Sequence, residues 1–152
     1  MESSPSRGSE EPLLSIVTSP YVKSITLIKG GKAFLLQYYP GSRDIYAAVV
    51  AKGREERIDD EGVVKAARAL TKLMRFIGKA VKSRYYSFTG TIKAEGEALV
   101  FKPYISPTST AVVAIRGNRI VVEVPNVLKK RLEARVDVAA AIRYILRRLN
   151  ST

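Results

Sequence analysis

The chain has 152 residues, 46% of them hydrophobic and 26% charged, and a formal net charge of +12. That length and balance predict one soluble globular domain with a real core. Cys and His are both absent, which excludes disulfides, thiolate nucleophiles, the common zinc sites and imidazole acid–base catalysis.

The excess charge is unevenly placed. Residues 1–61 hold 8 basic and 9 acidic side chains, whereas residues 62–152 hold 18 basic and 5 acidic ones. A field this lopsided favours an anionic partner, nucleic acid first and an anionic membrane surface second. The plainer alternative is a charge that only keeps the protein in solution. One Gln and three Asn beside so many charges point to a thermophile.

The opening MESSPSRGSEEP is acidic and Ser-rich with no apolar centre, so it is not a signal peptide. A disordered segment over residues 1–12, a single domain over 13–152 and a cytoplasmic location are expected. Apolar runs such as AAVVA and AVVAI are too short to span a bilayer. No membrane partner and no cofactor are expected.

VKSITLIK-GG-KAFLLQYY predicts a β-hairpin turning at Gly30-Gly31, with Ile25, Leu27, Phe34 and Leu36 on one face. PGSRD turns the chain into a further strand over residues 45–51. REERIDDEG is the one acidic cluster. Its Glu55, Glu56, Asp59 and Asp60 could hold magnesium as in a nuclease. Asp59, Asp60 and Glu61 also stand where a helix begins, as a cap and as charges that favour the helix dipole.

A helix from about residue 60 to 83 follows. Val63, Ala67, Leu70, Met74, Ile77 and Val81 recur three and four residues apart and form an apolar stripe. Lys65, Arg68, Lys72, Arg75, Lys79 and Lys82 recur in the same way and form a cationic stripe on roughly the opposite side. Gly62 to Lys82 contains no acidic residue. Solvated helix faces normally mix both signs, because like charges at this spacing cost a few tenths of a kcal/mol per pair. The cationic row is about 25 Å long at 1.5 Å per residue. It predicts either a polyanion-binding face or a face paired with acids from elsewhere in the chain.

SRYYSFTGTIKAEGEALVFKPYI predicts two strands joined at Glu95-Gly96, with Ile92 facing Leu99. Tyr86, Phe88, Ile92, Leu99 and Phe101 then share the core face. Tyr85, Lys93, Lys102 and Tyr104 fall on the other face with several hydroxyls. Such a face could stack bases on its rings and meet phosphates with its ammonium groups, though lone surface tyrosines also occur without any ligand.

TAVVAIR-GN-RIVVEV predicts another hairpin, turning at Gly117-Asn118 and stopped by Pro125 and Asn126. NVLKKRLEAR and DVAAAIRYILRRLN are expected to be helical, with a break near Asp137, which could cap the second piece. Leu128, Leu132, Val138, Ile142, Ile145 and Leu149 would give this tail an apolar stripe for the core, or for a homodimer through the C-terminal helix.

The fold class expected is α+β: antiparallel hairpins packed against a long amphipathic helix, with a helical C-terminal tail. A small, basic, cysteine-free chain with this order of elements resembles ThermoDBP and the ThermoDBP-related proteins of thermophilic archaea, over roughly residues 20–149. The resemblance implies single-stranded DNA binding in a cleft with an apolar floor and a basic rim, supplied by KAARALTKLMRFIGKAVKSRYY. The founding member's C-terminal zipper has no clear counterpart in a tail broken at Asp137. Sequence-tolerant binding of single-stranded DNA or RNA is the function expected, with no catalytic residue and no metal. Lys65, Arg68, Lys72, Arg75, Lys79, Lys82 and Arg84 would meet phosphates, with Lys93 and Lys102 on the sheet, while Tyr85 and Tyr104 stack on bases. A magnesium nuclease and an assembly subunit that binds RNA or an acidic protein are the rival readings.

Overall fold

The structure is a computed structural model that describes residues 11–42, 44–106 and 109–151. Residues 1–10, most of the segment expected to be disordered, lie outside the described residues. Pro12 is already held, since its carbonyl accepts a hydrogen bond from the Ile92 amide at 3.0 Å.

The chain is α+β. Its elements in order are β1 (Leu13–Thr18), β2 (Lys23–Lys29), β3 (Lys32–Tyr38), β4 (Ile45–Ala51), β5 (Arg54–Arg57), α1 (Glu61–Val81), β6 (Tyr86–Glu95), β7 (Ala98–Ser106), β8 (Ser109–Thr110), β9 (Val112–Arg116), β10 (Arg119–Val124), β11 (Leu128–Glu133) and α2 (Val138–Asn150). All strands but β8 form one antiparallel sheet in the order β11-β10-β9-β7-β6-β1-β2-β3-β4-β5, and β8 hangs from β7. Both helices cover the same face. Ile16, Ile25, Leu27, Phe34, Leu36, Ile92, Phe101, Ile115 and Ile120 from the strands share one core with Leu70, Met74, Ile77, Ile142 and Ile145 from the helices.

The β2–β3 hairpin forms as the sequence predicts. Gly30 and Gly31 both take positive φ, 58° and 77°, and Ile25 pairs with Leu36 and Leu27 with Phe34. Several strands depart from expectation, including β5 over the acidic cluster, and two matter most. Strand β1 is central: it pairs with β2 on one side and β6 on the other, placing Ile16 between Ile25 and Phe88. Residues 128–133, expected to be helical, are strand β11 along β10. The turn before it accounts for this. Val127 N donates to Val124 O at 3.0 Å, and Asn126 takes φ 63°. Pro then Asn at the two central positions, the second with positive φ, make a type II turn that sends the chain back antiparallel. Leu128 and Leu132, four residues apart, fit one face of a strand as well as one face of a helix.

The β6–β7 hairpin turns at Gly96-Glu97, one residue later than expected, so Ile92 pairs with Phe101 rather than Leu99. The shift in pairing is two residues, which leaves every side chain on its predicted face. Gly90 is held beside β7 so closely that a Cβ there would come within 2.0 Å of the Lys102 carbonyl oxygen.

Helix α1 is buried on two sides. Val63, Ala67, Leu70, Met74 and Ile77 face the sheet. Ala66, Ala69, Leu73, Phe76 and Ala80 are buried as well, a second row that follows the side against α2. Gly62 permits the close approach of α2: a Cβ there would sit 2.4 Å from the Tyr144 ring. Asp137 caps α2 through the Ala140 amide at 2.8 Å, and the Gly117 carbonyl of the β9–β10 turn accepts from Ala139 N at 3.1 Å. Val138, Ile142, Ile145 and Leu149 are all buried within the chain. Among the described residues no helix is long and apolar enough to cross a membrane.

Asp60 joins the two helices. It caps α1 through the Val63 amide at 3.3 Å, accepts a hydrogen bond from the Tyr144 hydroxyl at 2.5 Å and lies 3.8 Å from Arg148. The Tyr144 hydrogen bond is the main reason its carboxyl is held below the usual range. Because the folded value is the lower one, the ionised carboxylate stabilises the fold above the unfolded value of about 4, and that stabilisation is lost as pH falls through the folded value. Asp60→Asn keeps a capping oxygen but not the charge. Its Tm is expected to lie below that of the parent at pH 7 and to converge with it as the pH falls through the lowered folded value; a deficit independent of pH would show that the charge contributes nothing.

Candidate nucleic-acid interface

With α1 buried against the sheet on one side and α2 on the next, a single sector of the helix is left to solvent. Lys65, Arg68, Lys72, Arg75, Lys79 and Lys82 all lie in it and all are exposed. None forms an ion pair with a carboxylate among the described residues; the ion pairs described involve Lys93, Lys129 and Arg148. The described acids elsewhere in the chain do not pair with it.

The stripe borders three grooves. The first, about 380 Å³, runs between the helices and is lined by Lys65, Arg68, Ala140, Tyr144 and Arg147 among others. The second, about 310 Å³, lies between α1 and the β3–β4 loop, where Arg68, Lys72 and Arg75 face Tyr39, Pro40 and Ser42. The third is the largest, about 540 Å³, at the C-terminal end of α1. Lys23, Arg75, Lys79, Lys82 and Arg84 line it with Pro20, Pro40, Met74 and Tyr86, and among the described residues no carboxylate lines it. Pro40 and Arg75 border both the second and third grooves, so the two run into one trough.

The trough has a fixed floor. The Tyr38 hydroxyl donates to the Ala67 carbonyl at 3.0 Å and lies 2.6 Å from Thr71 Oγ1. The Tyr86 hydroxyl donates to the Met74 carbonyl at 2.7 Å, and its ring stacks on Phe88 with centroids 4.7 Å apart. Burial raises both phenols, Tyr38 to about 12. They are neutral donors that bolt α1 to the ends of β3 and β6, and they add no negative charge below the cations.

Lys23 is a member of the site that helical periodicity could not reveal, because it stands at the start of β2. Its ammonium group donates to Thr18 Oγ1 and, at 2.7 Å, to the Ser19 carbonyl. Desolvation, and after it the charge of Arg75, lower its pKa. A lysine depressed by a neighbouring arginine marks a place where positive charge is crowded.

The other predicted residues divide. Arg84 joins the trough. Tyr85 is exposed just before β6, its carbonyl accepting from Ser83 Oγ at 2.6 Å. Lys93, Lys102 and Tyr104 lie on the face of the sheet away from the helices, since their neighbours Ile92, Phe101 and Pro103 point inward. Lys93 is also engaged by Glu11 at 3.4 Å and Glu95 at 3.9 Å. The structure therefore does not bring the sheet residues together with the stripe. In the acidic cluster, Glu55 and Glu56 are successive residues of β5 and point to opposite faces, while Asp60 is occupied as described. Among the described residues no three carboxylates group closely enough to hold a metal ion.

Compared with protein-family models, with curated proteins and with solved structures, the chain matches none.

Removing Arg75 tests the charge crowding. Arg75→Gln is expected to move the titration of the Lys23 amine upward, part of the way to the ordinary lysine value, since desolvation stays in place. NMR of the lysine side chains over a pH series measures this; an unchanged titration would mean the two cations do not feel each other.

Proposed function

We propose that the chain binds single-stranded nucleic acid with little regard to sequence, DNA ahead of RNA, along the cationic sector of α1. The observation that carries this reading is the row Lys65, Arg68, Lys72, Arg75, Lys79 and Lys82, exposed, without carboxylate partners among the described residues, and opening into a trough lined by Lys23 and Arg84. Packing alone would have accepted Glu at any of these positions. A polyanion offsets the mutual repulsion that the row otherwise has to bear. Kinship with the ThermoDBP proteins is part of the proposal and rests on composition and element order. A ligand of this kind implies a cytoplasmic protein.

Two experiments test the reading. Purified protein is titrated into labelled single-stranded DNA, single-stranded RNA and duplex DNA of one sequence at several salt concentrations. With about six phosphates neutralised on a single strand, log K against log salt is expected to slope near −4. A slope flatter than about −1.5 would sink the electrostatic account. In the second, Lys72→Glu, Arg75→Glu and Lys79→Glu are combined. The triple variant is expected to lose binding while Tyr85→Ala keeps it, and the reverse pattern would move the site to the other face of the sheet.

A further inference from the structure

Binding by cations alone would not distinguish a single strand from a duplex, since both present phosphates. Discrimination needs a group that touches unpaired bases, and rings stacked on bases are the usual one. Of the four tyrosines that stand most open to solvent, Tyr21 is 72%, Tyr39 54%, Tyr85 65% and Tyr104 66% exposed. Tyr104 is on the wrong side of the sheet for the trough. Tyr21 and Tyr39 are on the right side.

Each belongs to a short loop that ends at the trough. Pro20, next to Tyr21, and Pro40, next to Tyr39, both line the large groove, and Tyr39 itself lines the adjoining one with Arg68, Lys72 and Arg75. Both loops are stiff. In the first, Ser19 N donates to Val22 O at 3.0 Å, and Ser19 Oγ accepts from the amides of Tyr21 and Val22 at 3.2 and 3.1 Å. In the second, Ser42 N donates to Tyr39 O at 3.0 Å, with Pro40 and then Gly41, at φ 83°, in the two central positions of a type II turn. Neither phenol has a hydrogen-bond partner among the described residues. A large ring held out on a rigid loop loses little conformational freedom on stacking.

We propose that Tyr21 and Tyr39 are the base-stacking residues of this protein, and that a single strand lies with its phosphates on Arg75, Lys79 and Lys23 and its bases turned outward to these two loops. The inference rests on the nucleic-acid reading of the α1 sector and adds to it the feature that selects unpaired bases. It also removes the need for a strand to wrap around the sheet to reach Tyr104.

The test uses the full chain with labelled oligothymidylate and a labelled duplex. Tyr21→Ala and Tyr39→Ala are each expected to weaken oligothymidylate binding by between about fivefold and about a hundredfold. Duplex binding and the salt slope should stay unchanged, because no charge is lost. Tyr→Trp at either position should restore binding, which a loss of loop structure would not allow, whereas Tyr104→Ala should behave as the parent. If both alanine variants bind oligothymidylate like the parent while the triple glutamate variant does not bind, the stacking assignment is overturned and the stripe stands. If the triple glutamate variant also binds like the parent, the underlying reading has failed and takes this inference with it.

Discussion

Helix α1 is buried along two adjoining sides, and the rest of the molecule's surface chemistry follows from that. The row Val63, Ala67, Leu70, Met74 and Ile77 packs on the sheet, and the row Ala66, Ala69, Leu73, Phe76 and Ala80 is buried beside it. Together they take about half of the helix circumference at 100° per residue. Every charged side chain between Gly62 and Lys82 must then leave through the remaining sector, and all of them are positive. Like-charge neighbours cost a few tenths of a kcal/mol each, while each fully buried Leu, Ile, Met or Phe stabilises by roughly 1.5–3 kcal/mol. Packing wins by a wide margin, so the helix can carry a one-sign face that would destabilise it in isolation.

The same packing decides which other parts of the chain meet that face. Tyr38 and Tyr86 tie α1 to the ends of β3 and β6 through the Ala67 and Met74 carbonyls. These strand ends lie where the β1–β2 and β3–β4 loops emerge, so the loops are brought against the C-terminal half of the stripe. The opposite face of the sheet has a different character. Leu13 and Ile28 are directly paired and both exposed there, and Lys93 is answered by Glu11 and Glu95. The sheet's outer edges are β5, REER, and β11, LKKRLE. Charged edges of this kind discourage the addition of a strand from another chain.

Much of this was legible in the sequence, for identifiable reasons. Turn glycines such as Gly30, Gly31 and Gly117 mark hairpins because few other residues adopt their positive φ angles. Asp60 and Asp137 mark helix starts because a carboxylate satisfies amides that have no helical partner. Strand β1 was not legible: one neighbour, β2, is close in sequence, but the other, β6, is some seventy residues away. Strand β11 was missed because Leu128 and Leu132, four residues apart, fit one face of a helix as well as one face of a strand. The second buried row of α1 is mostly alanine, whose small apolar area leaves little periodic signal. The cationic stripe could be read because helical spacing is regular. Lys23, Pro20 and Pro40 could not, since loops and strand ends have no period and only the fold brings them to the helix.

The lowered pKa of Lys23 ties the electrostatics of the trough to its chemistry. Desolvation is the larger cause and the charge of Arg75 the second, so both the enclosure and the crowding act in one direction. A protein that needed only solubility would keep such a lysine in open water, where screening removes the repulsion. Here it is held between the Thr18 hydroxyl and the Ser19 carbonyl, two neutral acceptors that fix the ammonium group without neutralising it. An anion entering the groove would meet charge that is already positioned and already partly dehydrated. In the proposed complex the repulsion borne by the free protein would become attraction. Positioned and unneutralised charge of this kind is what the proposed function requires, and in this chain it is concentrated where α1, the β1–β2 loop and the β3–β4 loop converge.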